Sequence, residues 1–296
     1  MKVFCLQGNF KKGKNMKPYL FILLTCLVVS ASAQENQKED SLGWNKKVVG
    51  MLNFSQNHFD NWQQGGENAW SWTFDSYTTF INEQAAYQWA NDIQLSYGRT
   101  RVEGSDSRKA SDEIRMESVL TYKIARYLNP YIAVTGLTQF SPGYKYSEEG
   151  KTKVSNFLDP GFFTQSAGMG YQPNEHFKTR FGASLKETVT HDHGVLYTDD
   201  KETETVERYR VELGAESVTD LDIKLADNIL YTSKLELFSN FKGLDQIDVN
   251  WHNLLSSKIS ALLSVNFDFR LFYDRDISAK RQLKQILAVG ITYRFY

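Results

Sequence analysis

Between residues 86 and 100 apolar and polar side chains alternate one by one, and no other feature of this chain restricts its fold as much. Tyr87, Trp89, Ile93, Leu95 and Tyr97 fall on one face, broken by Asn91, while Ala86, Gln88, Ala90, Asp92, Gln94, Ser96 and Gly98 fall on the other. A period of two over this length describes a strand with one oily and one wet face, not a helix. The pattern returns along the chain. Ile114, Met116, Leu120 and Tyr122 alternate with Glu113, Arg115, Glu117 and Thr121, and Leu263, Val265, Phe267, Phe269 and Leu271 alternate with Ser264, Asn266, Asp268 and Arg270. The alternation predicts strands at 46–55, 68–80, 85–100, 110–125, 130–141, 161–172, 176–189, 205–219, 228–239, 246–258, 261–273 and 282–296.

The spacing of these strands separates two all-β architectures. The links at 56–67, 101–109, 142–160, 190–204, 240–245 and 274–281 are expected to be long, and those at 81–84, 126–129, 173–175, 220–227 and 259–260 short. Short turns at one end, longer loops at the other and an even strand number describe an outer-membrane barrel. A soluble sandwich would also have to bury Arg208, Arg210, Glu212 and Glu216 from one polar row, which a dry core does not accept. The expected fold is therefore an all-β, antiparallel transmembrane β-barrel of about 12 strands over residues 46–296. Aromatics make up 14% of the chain although its mean hydropathy is only −0.46, as expected when apolar residues occupy one face of each strand. Trp44, Trp70, Trp72, Phe80, Tyr127, Tyr131, Tyr171, Tyr273 and Tyr293 fall near predicted strand ends, where interfacial girdles form.

The first 33 residues are expected to be a secretory signal with an upstream extension. Lys17 precedes the apolar run 19–30, and Ala31-Ser32-Ala33 supplies small residues for cleavage. Met16 is the natural start of such a signal. Residues 34–45 are expected to be a short periplasmic lead. Both cysteines, Cys5 and Cys26, fall in the segment to be removed, which leaves no thiol in the mature chain. Lipidation at Cys26 is disfavoured by Thr25 before it and by the apolar run continuing past it. The segment also carries five lysines and no acid, so 29 bases face 35 acids in the mature chain, too few for a nucleic-acid partner.

Several groups could carry chemistry. The polar faces place Glu113, Arg115, Glu117, Lys178, Arg180, Arg208, Arg210, Glu212, Lys234, Glu236, Asp268 and Arg270 toward the lumen. They would line a polar pathway or pair across a narrow one, because about eight strands fill with side chains and 16–18 leave a channel. Trp62, Gln63 and Gln64 in an outer loop could stack on and hydrogen-bond a sugar, or form a turn with an interfacial ring. His191 and His193 flank Asp192 and could ligate a metal only with ligands from elsewhere, so an exposed polar loop is the simpler expectation. Ser233, Asn253 and Ser257 face outward without a histidine beside them, and His252 points inward, so no nucleophile–base set is visible. No phosphate loop, dinucleotide fingerprint or metalloprotease helix is present, and no cofactor is implied.

Three stretches, Asn61–Asn68, Leu230–Asn240 and Ile247–Asn253, resemble an uncharacterised Bacteroidetes family of outer-membrane barrels grouped as a domain of unknown function. The resemblance implies the fold and the location, with no activity. Gly290, Tyr293 and Phe295 resemble the terminal signal read by the barrel-assembly machinery, with Tyr296 as one extra residue. The expected partners are that machinery and outer-membrane lipid. Expected functions are a narrow channel or transporter for small polar solutes, a lipid-modifying enzyme with its site at the rim or outer wall, or a structural or binding protein using its loops.

Overall fold

A computed structural model describes residues 42–60, 63, 67–148, 150–199, 204–243, 246–275, 277–278 and 280–295. The expected signal segment with its two cysteines, and the loop residues Trp62 and Gln64, lie outside the described residues. Five strands run as an antiparallel meander: β1 (Gly43–Asn57), β2 (Ala69–Glu83), β3 (Tyr87–Val102), β4 (Arg108–Tyr122) and β5 (Leu128–Thr138). A separate hairpin follows, β6 (Gly143–Ser147) with β7 (Gly150–Ser155). The meander resumes with β8 (Gly161–Tyr171), β9 (Phe177–Val189), β10 (Tyr209–Ala226), β11 (Ile229–Asn240), β12 (Ile247–Lys258), β13 (Leu263–Tyr273) and β14 (Gln282–Arg294). β14 returns to β1, and the twelve long strands close into a barrel. No described helix is long and apolar enough to cross a membrane, whereas strands of 11 to 18 residues are.

The interior is polar. Among the described residues, the buried apolar side chains are Met51, Tyr131, Ala133 and Val218, while the buried polar set includes Glu117, Arg180, Glu212, Glu216 and Asp274. The outer wall is the reverse, with Phe181 64%, Leu213 57% and Leu287 72% exposed. This is a transmembrane barrel, with hydrocarbon outside and polar groups within. Polar residues on the outer wall find partners beside them. Ser233 accepts from the Trp251 indole N–H (3.0 Å), Asn253 from the Tyr231 hydroxyl (2.6 Å) and Ser118 from the Trp89 indole N–H (2.9 Å).

Several expected boundaries move. β10 starts four residues later and ends seven later than predicted. Asp220, Asp222 and Lys224 look like turn chemistry in sequence, but they are the inward half of a strand whose outward half is Leu221, Ile223 and Leu225. The link after β10 shrinks to 227–228, and Arg208 falls before the strand and is exposed, outside the inner wall. The link at 101–109 is shorter than expected, because β3 and β4 continue past its predicted ends and leave 103–107. The link at 142–160 contains the β6–β7 hairpin.

Tyr131 is not a girdle residue. Register sets it opposite Thr121 and Gly168 on the inner face, where it is 4% exposed with the Arg180 guanidinium 5.7 Å from its ring centre. Glycines make the space: a Cβ on Gly168 would lie 2.1 Å from the Phe181 carbonyl oxygen, and one on Gly182 would lie 2.8 Å from the Tyr131 hydroxyl.

Candidate functional site: the barrel lumen

Inward parity alone would allow each charge to pair with the next strand. The lumen goes further and pairs across. Arg115 on β4 is hydrogen-bonded to Glu236 on β11, and Arg270 on β13 to Glu113 on β4. Each pair joins strands five places apart around the ring of twelve. Lys234 on β11 reaches Glu117 on β4 over the same span, at 2.7 Å. Glu117 also accepts from Arg180 on β9 (3.1 Å) and lies 3.6 Å from Arg115. One buried carboxylate thus collects three cations from three walls.

Around this centre the remaining charges form satellites. Arg180 lies 3.8 Å from Glu216, which accepts from Ser166 at 2.7 Å. Asp268 meets His252 at 2.9 Å and Arg270 at 3.5 Å. Toward the loop end, Lys186 lies 2.6 Å from Asp248, 2.8 Å from Asp274 and 3.9 Å from Glu212, and Glu212 meets Arg210 at 3.2 Å. Near the turn end, Lys178 lies 3.9 Å from Asp220 and is half exposed. Asp75 and Lys284 are joined through two buried hydroxyls. Ser96 donates to Asp75 (2.6 Å) and shares a hydrogen bond with Ser111 (2.7 Å), and Lys284 donates to Ser111 (3.0 Å). Sequence reading missed this chain. Its inward parity was legible, but the approach of β14 to β4 across the lumen was not.

The paired belt leaves space beside it. A chamber of about 340 Å³ is lined by Gln94, Arg115, Asn250, His252 and Lys284 together with Leu137 and Phe272. A second of about 120 Å³, which shares Arg115, Glu236 and Asn250 with the first, reaches Lys186, Asp248 and Asp274. A third, of about 30 Å³, lies between Asp75, Asp268 and Lys284 and is the size of a water or two.

The loop candidates are separated from one another. Gln63 is an exposed turn residue. His191 is exposed and contacts only its neighbour Asp192, at 2.6 Å, in the ion pairs of the described residues. His193 turns inward onto Asp159, 2.6 Å away. Asp159 also accepts from the backbone N–H groups of His191 (2.9 Å), Asp192 (3.1 Å) and His193 (3.3 Å). One carboxylate therefore clips the 190–208 loop to the 139–160 loop. Burial alone would raise the Asp159 carboxyl. The four donors outweigh it and hold the group at about 2. No cluster suited to a metal occurs among the described residues.

A family described as "Protein of unknown function (DUF3078)" matches residues 54–144, from the end of β1 to the start of β6. No curated protein matches the chain. Among solved structures, the translocator domain of the autotransporter NalP from Neisseria meningitidis is 10% identical, with 86% of this chain and 90% of that one covered and a TM-score of 0.39. An outer membrane channel from Pseudomonas putida F1 is 9% identical, with 89% and 99% covered and a TM-score of 0.38. The NanC porin is 8% identical, with 83% and 97% covered and a TM-score of 0.37.

Proposed function

We propose that this chain is an outer-membrane barrel whose lumen is a narrow pathway for small polar solutes, closed at mid-height by ion pairs that span the lumen. The supporting observation is the belt Arg115–Glu236, Arg270–Glu113 and Lys234–Glu117, with chambers of mixed polar and apolar lining beside it. A barrel that only had to be filled would do so with apolar or neighbour-paired side chains, because buried ion pairs add little stability over a well-packed apolar core. Charges that reach across can part without unfolding the wall, since the backbone pairing of the strands does not involve them.

Planar bilayers test this directly. The wild-type chain is expected to give rare, small current steps. Neutralising one cross-lumen pair, Arg115→Gln with Glu236→Gln, is expected to raise the open fraction several-fold. If neither protein carries current nor passes small solutes into liposomes, the pathway reading fails.

The reading includes a role for the last strand. Gly290 and Tyr293 pair with Asn53 and Gly50 at the closing seam, and the Phe295 N–H donates to Val48. If the assembly machinery reads this strand, Phe295→Ala reduces the amount of folded barrel in the outer-membrane fraction. An unchanged amount removes that part of the proposal.

A further inference from the structure

At the loop end of β2 and β3 two tryptophans and two arginines stand on the outer wall side by side. Register places Trp72 opposite Arg99 and Trp70 opposite Arg101, and the exposed Phe74 opposite Tyr97 fixes this face as the outer one. The rings form a rim: Trp72 lies 5.9 Å from Tyr97, and Tyr97 lies 6.3 Å from Phe140. Belts of this kind mark the headgroup level of a bilayer.

Both arginines are held in place by neutral acceptors. Arg99 donates through Nε and Nη2 to the side chain and carbonyl of Ser107 (2.9 and 2.7 Å) and through Nη1 to the Tyr97 hydroxyl (3.2 Å). Arg101 donates through Nε to the Ser105 carbonyl (3.1 Å). Neither lies within 4.0 Å of a carboxylate among the described residues. Two of the nearby acids are engaged elsewhere. Glu103 accepts from Asn68 (2.8 Å), and Asp112 from Ser141, from Phe140 and from Lys109. Two residues apart on one strand face, the guanidiniums arise about 7 Å from each other. The result is two cations with spare donors, no counter-ion within 4.0 Å among the described residues, and indole rings beside them.

We propose that Arg99 and Arg101, with Trp70 and Trp72, form a binding site for the phosphate headgroup of an anionic lipid in the surrounding leaflet. The inference rests on the membrane-barrel reading above. Charge complementarity selects this occupant. Guanidinium forks bind phosphate oxygens in pairs, and the indoles fix the height at which those oxygens are met.

Quenching of tryptophan fluorescence by brominated lipids reads the site in the full barrel reconstituted in vesicles. Brominated phosphatidylglycerol is expected to quench with a relative binding constant above that of brominated phosphatidylcholine, by about fivefold for each arginine engaged. The Arg99→Gln/Arg101→Gln variant is expected to bring the two lipids to parity. The Arg99→Lys/Arg101→Lys variant keeps most of the preference and controls for folding. Equal quenching by both lipids in the wild type, or a preference that survives the glutamine variant, overturns the site and leaves the barrel untouched. Quenching by neither lipid overturns the membrane reading, and the site with it.

Discussion

Glu117 concentrates the electrostatics of the lumen in one side chain. With its carboxylate 6% exposed and three cations around it, its neutralisation leaves Arg180 with Glu216 at 3.8 Å and Lys234 with Asp220 at 3.6 Å as their remaining acidic neighbours in a confined space. Breaking a buried ionic cluster on one side costs about 3 kcal/mol or more. Glu117→Gln is therefore expected to lower the urea midpoint of the barrel in micelles clearly, and a loss under about 1 kcal/mol would mean that water already screens the centre. Asp159 gives a prediction of opposite location and definite sign. Its folded value of about 2 lies below the usual carboxylate range near 3.9, so its contribution is complete above pH 4 and is lost as pH falls through 2. Protease nicking of the 190–208 loop should rise over that window and not between pH 5 and 8. Asp159→Asn should show the acid-level nicking rate already at neutral pH.

Two elements depart from uniform wall. Where β8 and β9 pass, Gly168 and Gly182 face each other in register, and a side chain on either would enter neighbouring backbone. Gly182→Val is expected to destabilise by about 1–3 kcal/mol through overpacking against Tyr131 and Ala167, read as a shift in the unfolding midpoint without a change in its slope. The second is the closing seam. β1 and β14 share five residue pairs, Val49–Asn53 with Gly290–Arg294, whereas β4 and β5 share eight and β1 and β2 fifteen. Residues 286–289 consequently pair only with β13 among the described strands. An unpaired edge facing hydrocarbon is costly, so this stretch is expected to exchange its amide hydrogens faster than β13 in reconstituted barrels. Equal protection on both would show the seam closed along its length.

For the molecule as a whole, alternation by itself settles which side chains face the lipid and which face the lumen. It assigned Phe181, Leu213 and Leu287 to the outer wall and Glu117, Arg180 and Glu212 to the lumen, because a strand offers its side chains only two directions. It also located all twelve barrel strands, since each repeats the same local rule within its own residues. It failed where local signals conflict with the rule. The inward acids Asp220 and Asp222 imitated a turn, Arg208 continued a parity that the chain had not yet entered, and Tyr131 looked interfacial from its place near a strand end. What tertiary structure alone decided is which charges meet. Arg270 and Glu113 are 157 residues apart, and Arg115 and Glu236 are 121 apart. Whether they touch depends on the diameter and stagger of the closed ring, and no window of sequence carries those quantities.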